Sequence, residues 1–253
     1  MKVSIAIPCY EMHGYGADCL DFALRSIAYQ SYTDFEVVIS DHSVDDSISN
    51  VCKKWQQLPI KYIKNNLSRG SSSANINNCI RHSTGDLVKI LCQDDYFYDS
   101  NSLKNIVTSF GKSQWLVSSY LHTTNRKDLF KKKKPFLNKN IATINTIGTH
   151  SCLTLHKSKE IQYFDENLLW LMDCEYYYRL YNSLGPPQIL NKVTMVQYLW
   201  EGQVTNTLAA SRALRSKEIE YVKRKCPEPI KYLPLFSFLQ FAIKRICNLT
   251  VLR

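Results

Sequence analysis

The strongest constraint on this chain is an alternation: short apolar runs that each stop at a polar or acidic tip, separated by segments of helical period. Val3 to Cys9 (VSIAIPC) reads as a buried strand and ends at Tyr10-Glu11. Asp18 to Ser31 then places Leu20, Leu24, Ile27 and Ala28 on one helical face, with Asp18 as the expected N-cap. FEVVIS, from Phe35, is a second strand closing at Asp41. A helix over 47–57 and a short strand over 60–64 follow. The small-residue loop at Ser68-Arg69-Gly70 opens a helix over 73–82, and Gly85 resets the chain. Asp86 to Cys92 is a further strand, ending at Gln93-Asp94-Asp95. Strands separated by helices favour parallel pairing, because a parallel crossover needs a connection of helix length. The predicted class is α/β, with a mostly parallel central sheet flanked by helices. Ligands of such sheets sit at the carboxyl ends of strands, where Tyr10-Glu11, Asp41 and Asp94-Asp95 all fall.

The second part of the chain is less regular. Lys131 to Lys134, followed by Pro135, reads as a solvated loop. Gly148 to Ser151 precedes a strand over 152–155. A helix over 168–184 carries Asp173 and Glu175 among aromatic residues and stops at Gly185-Pro186-Pro187. A charged helix over 209–225 is broken by CPEP at 226–229. Between Leu233 and Leu252, Ser237, Gln240, Lys244 and Asn248 form a narrow polar stripe on an otherwise apolar helix, with no acid after Glu228. Such a basic amphipathic tail either lies in a membrane interface or packs on protein.

Composition removes several classes. At 45% hydrophobic the chain is too apolar to be disordered, and 8 Gly and 8 Pro exclude collagen-like and low-complexity chains. None of the nine cysteines lies at C-x-x-C spacing, so neither a zinc cluster nor a thioredoxin-like pair is expected. Thiols inside apolar runs, no signal-peptide core in MKVSIAIPCYE, and no spanning apolar stretch predict a cytoplasmic protein. The net charge of +10 attracts anionic lipid head groups or nucleic acid.

Two adjacent carboxylates at the end of a buried strand raise each other's pKa unless a cation neutralises them. Mg2+ and Mn2+ take oxygen ligands, commonly one or two carboxylates plus substrate phosphates. Asp94 and Asp95 are therefore a candidate seat for Mn2+ or Mg2+, with a turn or helix cap as the plain alternative.

Three segments, VSIAIPCYE, LDFALRSIAYQSYTDFEVVISDHSVDDS and NNLSRGSSSANINNCIRHSTGDLVKILCQDD, resemble in order and spacing the family 2 nucleotide-sugar glycosyltransferases of the A-type fold. The resemblance covers residues 1–100 well and 148–206 loosely. It implies an inverting transferase of hexosyltransferase type that moves a sugar from a nucleoside-diphosphate donor, UDP-linked first, to a lipid-linked saccharide. The implied setting is bacterial surface-polysaccharide (O-antigen) synthesis, with peripheral contact on the inner face of the cell membrane and no nucleic acid. The corresponding division is a nucleotide-sugar half over 1–100, an acceptor half of the same domain over 101–206, and a helical tail over 207–253.

The resemblance also implies roles. Tyr10 lies against the pyrimidine ring, framed by Pro8 and Glu11. Asp41 reads the base through its N3–H, and Arg69 sits near the diphosphate. Of Asp94 and Asp95 one contacts ribose and the other the metal, in an order left open. Asp173 is the general base, with Glu175 as fallback, while His150, Trp170 and the tyrosines at 176–178 could stack on sugar faces, although such aromatics more often belong to the core. The sequence departs from the family at four places. Cys92 and His42 replace carboxylates, Met172 stands in a Glu position, and Trp200 or Glu201 stands where a histidine is usual. Two rivals remain at this point: a basic nucleic-acid-binding module, and a sugar nucleotidyltransferase, to whose usual Gly-rich, Lys/Arg-bearing phosphate loop IAIPCYEMHGYG is a poor match.

Overall fold

The computed structural model describes residues 1–158, 161–203 and 211–231. The polar-striped tail expected over 233–252 lies outside them. The predicted alternation is present: β1 (Val3–Cys9), α1 (Gly16–Ala28), β2 (Phe35–Asp41), α2 (Ser47–Lys54), β3 (Ile60–Lys64), α3 (Ser72–His82) and β4 (Leu87–Ile90). These strands pair in parallel in the order β3-β2-β1-β4, with Cys9 opposite Asp41 and Asp41 opposite Lys64. All four therefore end at one edge of the sheet.

Side-chain alternation sends successive residues of each strand to opposite faces. Val3, Ile5 and Ile7 of β1 and Val37 and Ile39 of β2 pack with Leu20, Leu24 and Ile27 of α1. Ala6, Val38, Val88 and Ile90 face the other way, against Ile76, Cys79 and Ile80 of α3. Each fully buried aliphatic side chain contributes about 1.5–3 kcal/mol, so two such faces fix the register of the parallel half.

The remainder comprises β5 (Tyr96–Phe97), α4 (Ser102–Ser109), β6 (Trp115–Thr123), β7 (Phe130–Lys133), β8 (Leu153–His156), α5 (Met172–Leu184), β9 (Gln188–Tyr198) and α6 (Arg212–Lys225). The sheet continues as β4-β8-β6-β9-β5, with β7 beside β6. Here the predominance of parallel pairs ends and the sheet is mixed. β8 runs antiparallel to both β4 and β6, so β6 and its parallel neighbour β9 point the same way as β4. Their carboxyl ends meet the same edge.

Local differences from the sequence expectation have physical causes. Helix α1 starts at Gly16, two residues before Asp18. A Cβ at Gly16 would collide with the Tyr10 carbonyl, so only glycine lets the helix begin this close to the strand exit. Asp18 instead sits in the first turn and pairs with Arg126 at 2.6 Å. The lysine run is an exposed edge strand, β7, rather than a loop; Phe130 stacks on His122 at 5.9 Å. Charged side chains on an edge strand discourage further strand pairing.

Helix α5 begins at Met172, not at Leu168. The N–H groups of Leu169, Trp170 and Leu171 donate instead to the buried carboxylate of Glu218, on α6, at 2.8, 3.0 and 2.8 Å. One anion thus satisfies three backbone donors ahead of the helix and favours its positive end. Hydrogen bonds to charged groups contribute about 1.5–3 kcal/mol net. Glu218→Gln is expected to lower stability by about 2 kcal/mol, a fall in Tm of roughly 4–8 °C for a chain of this size. Scanning calorimetry checks this, and an unchanged Tm would show that the entry to α5 is held by other contacts.

Candidate active site

The loop leaving β1 is clamped from β4. The Tyr10 N–H donates to Gln93 Oε1 at 2.9 Å, while Gln93 Nε2 donates to the carbonyls of Tyr10 and Gly16 at 3.0 and 2.7 Å. The Glu11 carbonyl accepts from the N–H groups of Gly14 and Gly16, both at 2.9 Å. The Tyr10 side chain is half-buried. Its phenol pKa is pushed up by burial and then by the Asp94 and Glu11 carboxylates, so its ring shares space with both acids. Pro8 pairs with Ser40 in the sheet.

Asp41 reaches the same edge, but its carboxylate is buried and already occupied. Oδ1 accepts from the Ser43 N–H at 2.8 Å and from the Ser43 hydroxyl. Oδ2 accepts from the Tyr62 hydroxyl at 2.7 Å and from Lys64 Nζ at 3.1 Å. Those four donors use the capacity of a carboxylate, so reading a base would require displacing one. Burial pushes the His42 pKa down, and its ring contacts the Asn65 amide at 2.8 Å. Arg69 is exposed and donates to the Ser43 carbonyl and Asn66 Oδ1, each at 3.1 Å. It braces the Asp41 turn and makes no ion pair with the Asp94-Asp95 pair.

The acid pair is held differently. Asp94 Oδ2 accepts from the Trp200 indole N–H at 3.3 Å, and Gln203 also bonds the carboxylate. Asp95 is buried; Oδ1 accepts from the Tyr198 N–H at 3.1 Å, and the Ser151 hydroxyl donates to the carboxylate. Among the described residues neither acid forms an ion pair with Lys or Arg. Burial pushes both pKa values up, and the Asp94 charge raises Asp95 further. The Cys92 sulfur and one oxygen from each acid lie within 4.8 Å of one another. Two carboxylates and a thiol at that spacing, with no cationic side chain paired to them, fit a divalent ion. In place of the usual histidine, Trp200 caps Asp94.

A short turn over His150–Cys152 connects this seat to Asp173. The His150 ring bonds Cys92 on one side and contacts Asp173 Oδ1 through Nδ1 at 3.3 Å on the other. Burial opposes its charge, but Cys92 and Asp173 outweigh burial and push the imidazole pKa well up. Asp173 Oδ2 accepts from Asn145 Nδ2 at 3.3 Å. His150 is therefore a hydrogen-bonding link and not the stacking surface expected. Glu175 cannot serve as the fallback base. It is wholly buried and tied to Arg179 and Lys225 at 2.5 and 2.9 Å, a structural ion network. Tyr176 and Tyr177 are also wholly buried and belong to the core, so no sugar face reaches them. Trp170 is half-buried, with the Arg215 guanidinium 5.9 Å from its ring centre. Gln93, Ser151 and Asn145 were not singled out from sequence, because their partners lie far along the chain. The position of Gln93 between Cys92 and Asp94 was the available signal.

A sheet edge that gathers an aromatic loop, a cation seat and a histidine-held aspartate defines the class: an α/β enzyme site suited to an anionic, ring-bearing ligand. The profile of Glycosyl transferase family 2 matches residues 4–165, well over half of the chain, and the chain belongs to that family. This bears out the resemblance read from the first hundred residues and the glycosyltransferase it implied; the nucleic-acid-binding and nucleotidyltransferase rivals are displaced. Glycosyltransferase GlyA of Streptococcus pneumoniae is 24% identical over 95 residues, 38% of this chain and 13% of that protein. An uncharacterized glycosyltransferase of Rickettsia felis is 30% identical over 100 residues, 38% of this chain and 15% of that protein. The matches thus span under a sixth of these curated relatives.

Among solved structures, S. aureus TarS 1-349 in complex with UDP-GlcNAc superposes with a TM-score of 0.71 at 20% identity, covering 92% of this chain and 68% of that one. Mannosyltransferase PcManGT from Pyrobaculum calidifontis, in complex with GDP-Man and Mn2+, gives 0.67 at 17% identity, covering 93% and 66%. At these identities the likeness is one of fold, and it bears out the expected A-type architecture. Among the described residues no helix is long and apolar enough to cross a membrane.

Lys89 of β4 lies beneath the site. It is wholly buried, its Nζ donates to the Ser151 carbonyl, and burial pushes its pKa from 10.5 down to about 8, against the raising effect of Cys152, Asp95 and Cys92. Between about pH 8 and 10.5 the unfolded chain holds a proton at this lysine that the folded chain has released, so stability rises with pH across that window. Relative to Lys89→Met, the wild type is expected to gain roughly 3 kcal/mol between those limits. Urea unfolding of both proteins at each pH measures the difference. A difference that does not vary with pH would mean the ammonium is not buried in its charged form.

Proposed function

We propose that the chain is an inverting, hexosyltransferase-type enzyme that moves a sugar from a UDP-linked donor to a lipid-linked saccharide in bacterial surface-polysaccharide (O-antigen) synthesis. One observation carries the reading: His150 bonds both Cys92, beside the acid pair, and Asp173. The cation seat and the proposed base therefore belong to one connected site. The TarS neighbour holds UDP-GlcNAc and PcManGT holds GDP-Man with Mn2+, which supports a nucleotide-sugar donor and Mn2+ or Mg2+ here.

A divalent ion bound at Asp94 and Asp95 supplies positive charge that offsets the charge developing on the leaving diphosphate. Tyr10, held in place through Gln93, offers its ring to the pyrimidine, with Pro8 and Glu11 framing the loop. Asp41 meets the base once Lys64, its half-buried ion-pair partner, gives up Oδ2. Arg69, exposed on the neighbouring loop, turns from Ser43 towards the diphosphate. Asp173 accepts the proton of the acceptor hydroxyl as that oxygen attacks the anomeric carbon. Asn145 and His150 fix one carboxylate oxygen each, which orients the base before the acceptor arrives. Binding donor and acceptor in line removes most of the entropic penalty of a two-substrate step.

The turn between β6 and β7 supports the membrane part of this reading. It lies on the site edge and exposes Leu129 and Phe130 among exposed Lys127, Lys131, Lys132 and Lys134. An apolar tip in a basic collar suits an anionic lipid surface, which supports a lipid-linked acceptor and peripheral contact with the inner face of the cell membrane.

A panel of nucleotide sugars with Mn2+ and Mg2+ tests the function. One donor is expected to raise Tm only with a divalent ion present, and Asp95→Ala to abolish that shift. Asp173→Asn is expected to keep the donor shift while losing transfer by about 100-fold or more, the scale of general-base catalysis. Wild-type turnover in Asp173→Asn would remove it as the base, and a panel with no ion-dependent shift would overturn the function.

A further inference from the structure

Cys92 stands inside the cation seat, at a position where the family resemblance leads one to expect an acid. Its sulfur and the oxygens of Asp94 and Asp95 are mutually within 4.8 Å, close enough for one ion to touch all three. Its position is fixed on both sides. The Cys92 N–H donates to Ser151 Oγ at 2.8 Å, and the next residue is Gln93, locked to Tyr10 and Gly16. The thiol forms no disulfide. Beside it stand two carboxylates with no Lys or Arg ion pair among the described residues, and the His150 ring bonds the sulfur, where it favours the thiolate.

We infer that Cys92 is a third protein ligand, bound as the thiolate, and that the seat prefers thiophilic divalent ions such as Co2+ over Mg2+. The inference rests on the cation-dependent donor site proposed above and specifies its ion. An acid at position 92 would give an all-oxygen set, which suits Mg2+. Cysteine makes the set two oxygens and one sulfur, and thiolate ligands select softer ions. On binding, a metal–sulfur bond forms and the S–H bond breaks, with the proton released to solvent.

Titration of the full chain with Co2+, without donor and followed by absorption, tests this. The wild type is expected to develop a thiolate-to-cobalt charge-transfer band that saturates at one ion per chain. Cys92→Ser should lose the band and bind Co2+ about tenfold or more weaker, at least the loss typical of an outer-shell change. Cys92→Asp should also lose the band but bind Mg2+ more tightly than the wild type, and it decides the matter if the serine variant fails to fold. Co2+ binding without a band, or equal Co2+ and Mg2+ affinities in wild type and Cys92→Ser, would overturn thiolate ligation while leaving the transferase reading intact. No binding of Co2+, Mn2+ or Mg2+ by the wild type, with or without UDP, would overturn both.

Discussion

Two neighbouring carboxylates, Asp94 and Asp95, are packed at the end of β4 with no paired ammonium or guanidinium among the described residues. Such a pair is electrostatically unfavourable alone. Its hydrogen bonds come from neutral donors, the Trp200 indole, the Tyr198 N–H and the Ser151 hydroxyl, and the nearby His150 ring adds a favourable charge. Burial raises the pKa of both acids, and the charge of Asp94 raises that of Asp95 further. A divalent ion held there would supply the missing positive charge, and so the placement of the pair governs what the proposed site can do.

The architecture brings these parts together from both ends of the chain. The parallel half supplies Tyr10, Cys92 and the acids from the tips of β1 and β4. The second half supplies Ser151, Tyr198, Trp200 and Asp173, from the turn before β8, the end of β9 and the start of α5. A boundary near residue 100 therefore divides the sequence but not the sheet. The antiparallel insertion of β8 restores the direction of β4 in β6 and β9, which is why Tyr198 arrives at the acid pair. Glu218 extends the same logic outward, since its carboxylate sets where α5 begins and hence where Asp173 stands.

The parallel half was legible because its signals are local: apolar runs of strand length, helical periods, and polar tips in order. Tyr10, the acid pair and Asp173 followed from chain order and family resemblance. What escaped reading depends on partners distant in sequence. Glu175 looked free beside Asp173, yet Arg179 and Lys225 enclose it. Asp41 looked open at a strand tip, yet Tyr62 and Lys64 occupy it from the adjacent strand. Tyr176 and Tyr177 could be read from sequence as core or as sugar platforms, and burial of the face of α5 they occupy decides for the core. Lys131 to Lys134 carried no period, so an edge strand paired to β6 was invisible. β8 has only four residues, Leu-Thr-Leu-His, too short a run to announce that it runs against its neighbours.

The central claim is that Asp94 and Asp95 retain proton affinity that a divalent ion displaces. Calorimetric titration of Mn2+ at constant pH, in buffers of different ionisation enthalpy, reads the protons released per ion bound. Net release that falls as pH rises, and that disappears together with the binding in a variant lacking both carboxylates, is the predicted result. Mn2+ binding without proton release at any pH, or unchanged in that double variant, would contradict the claim.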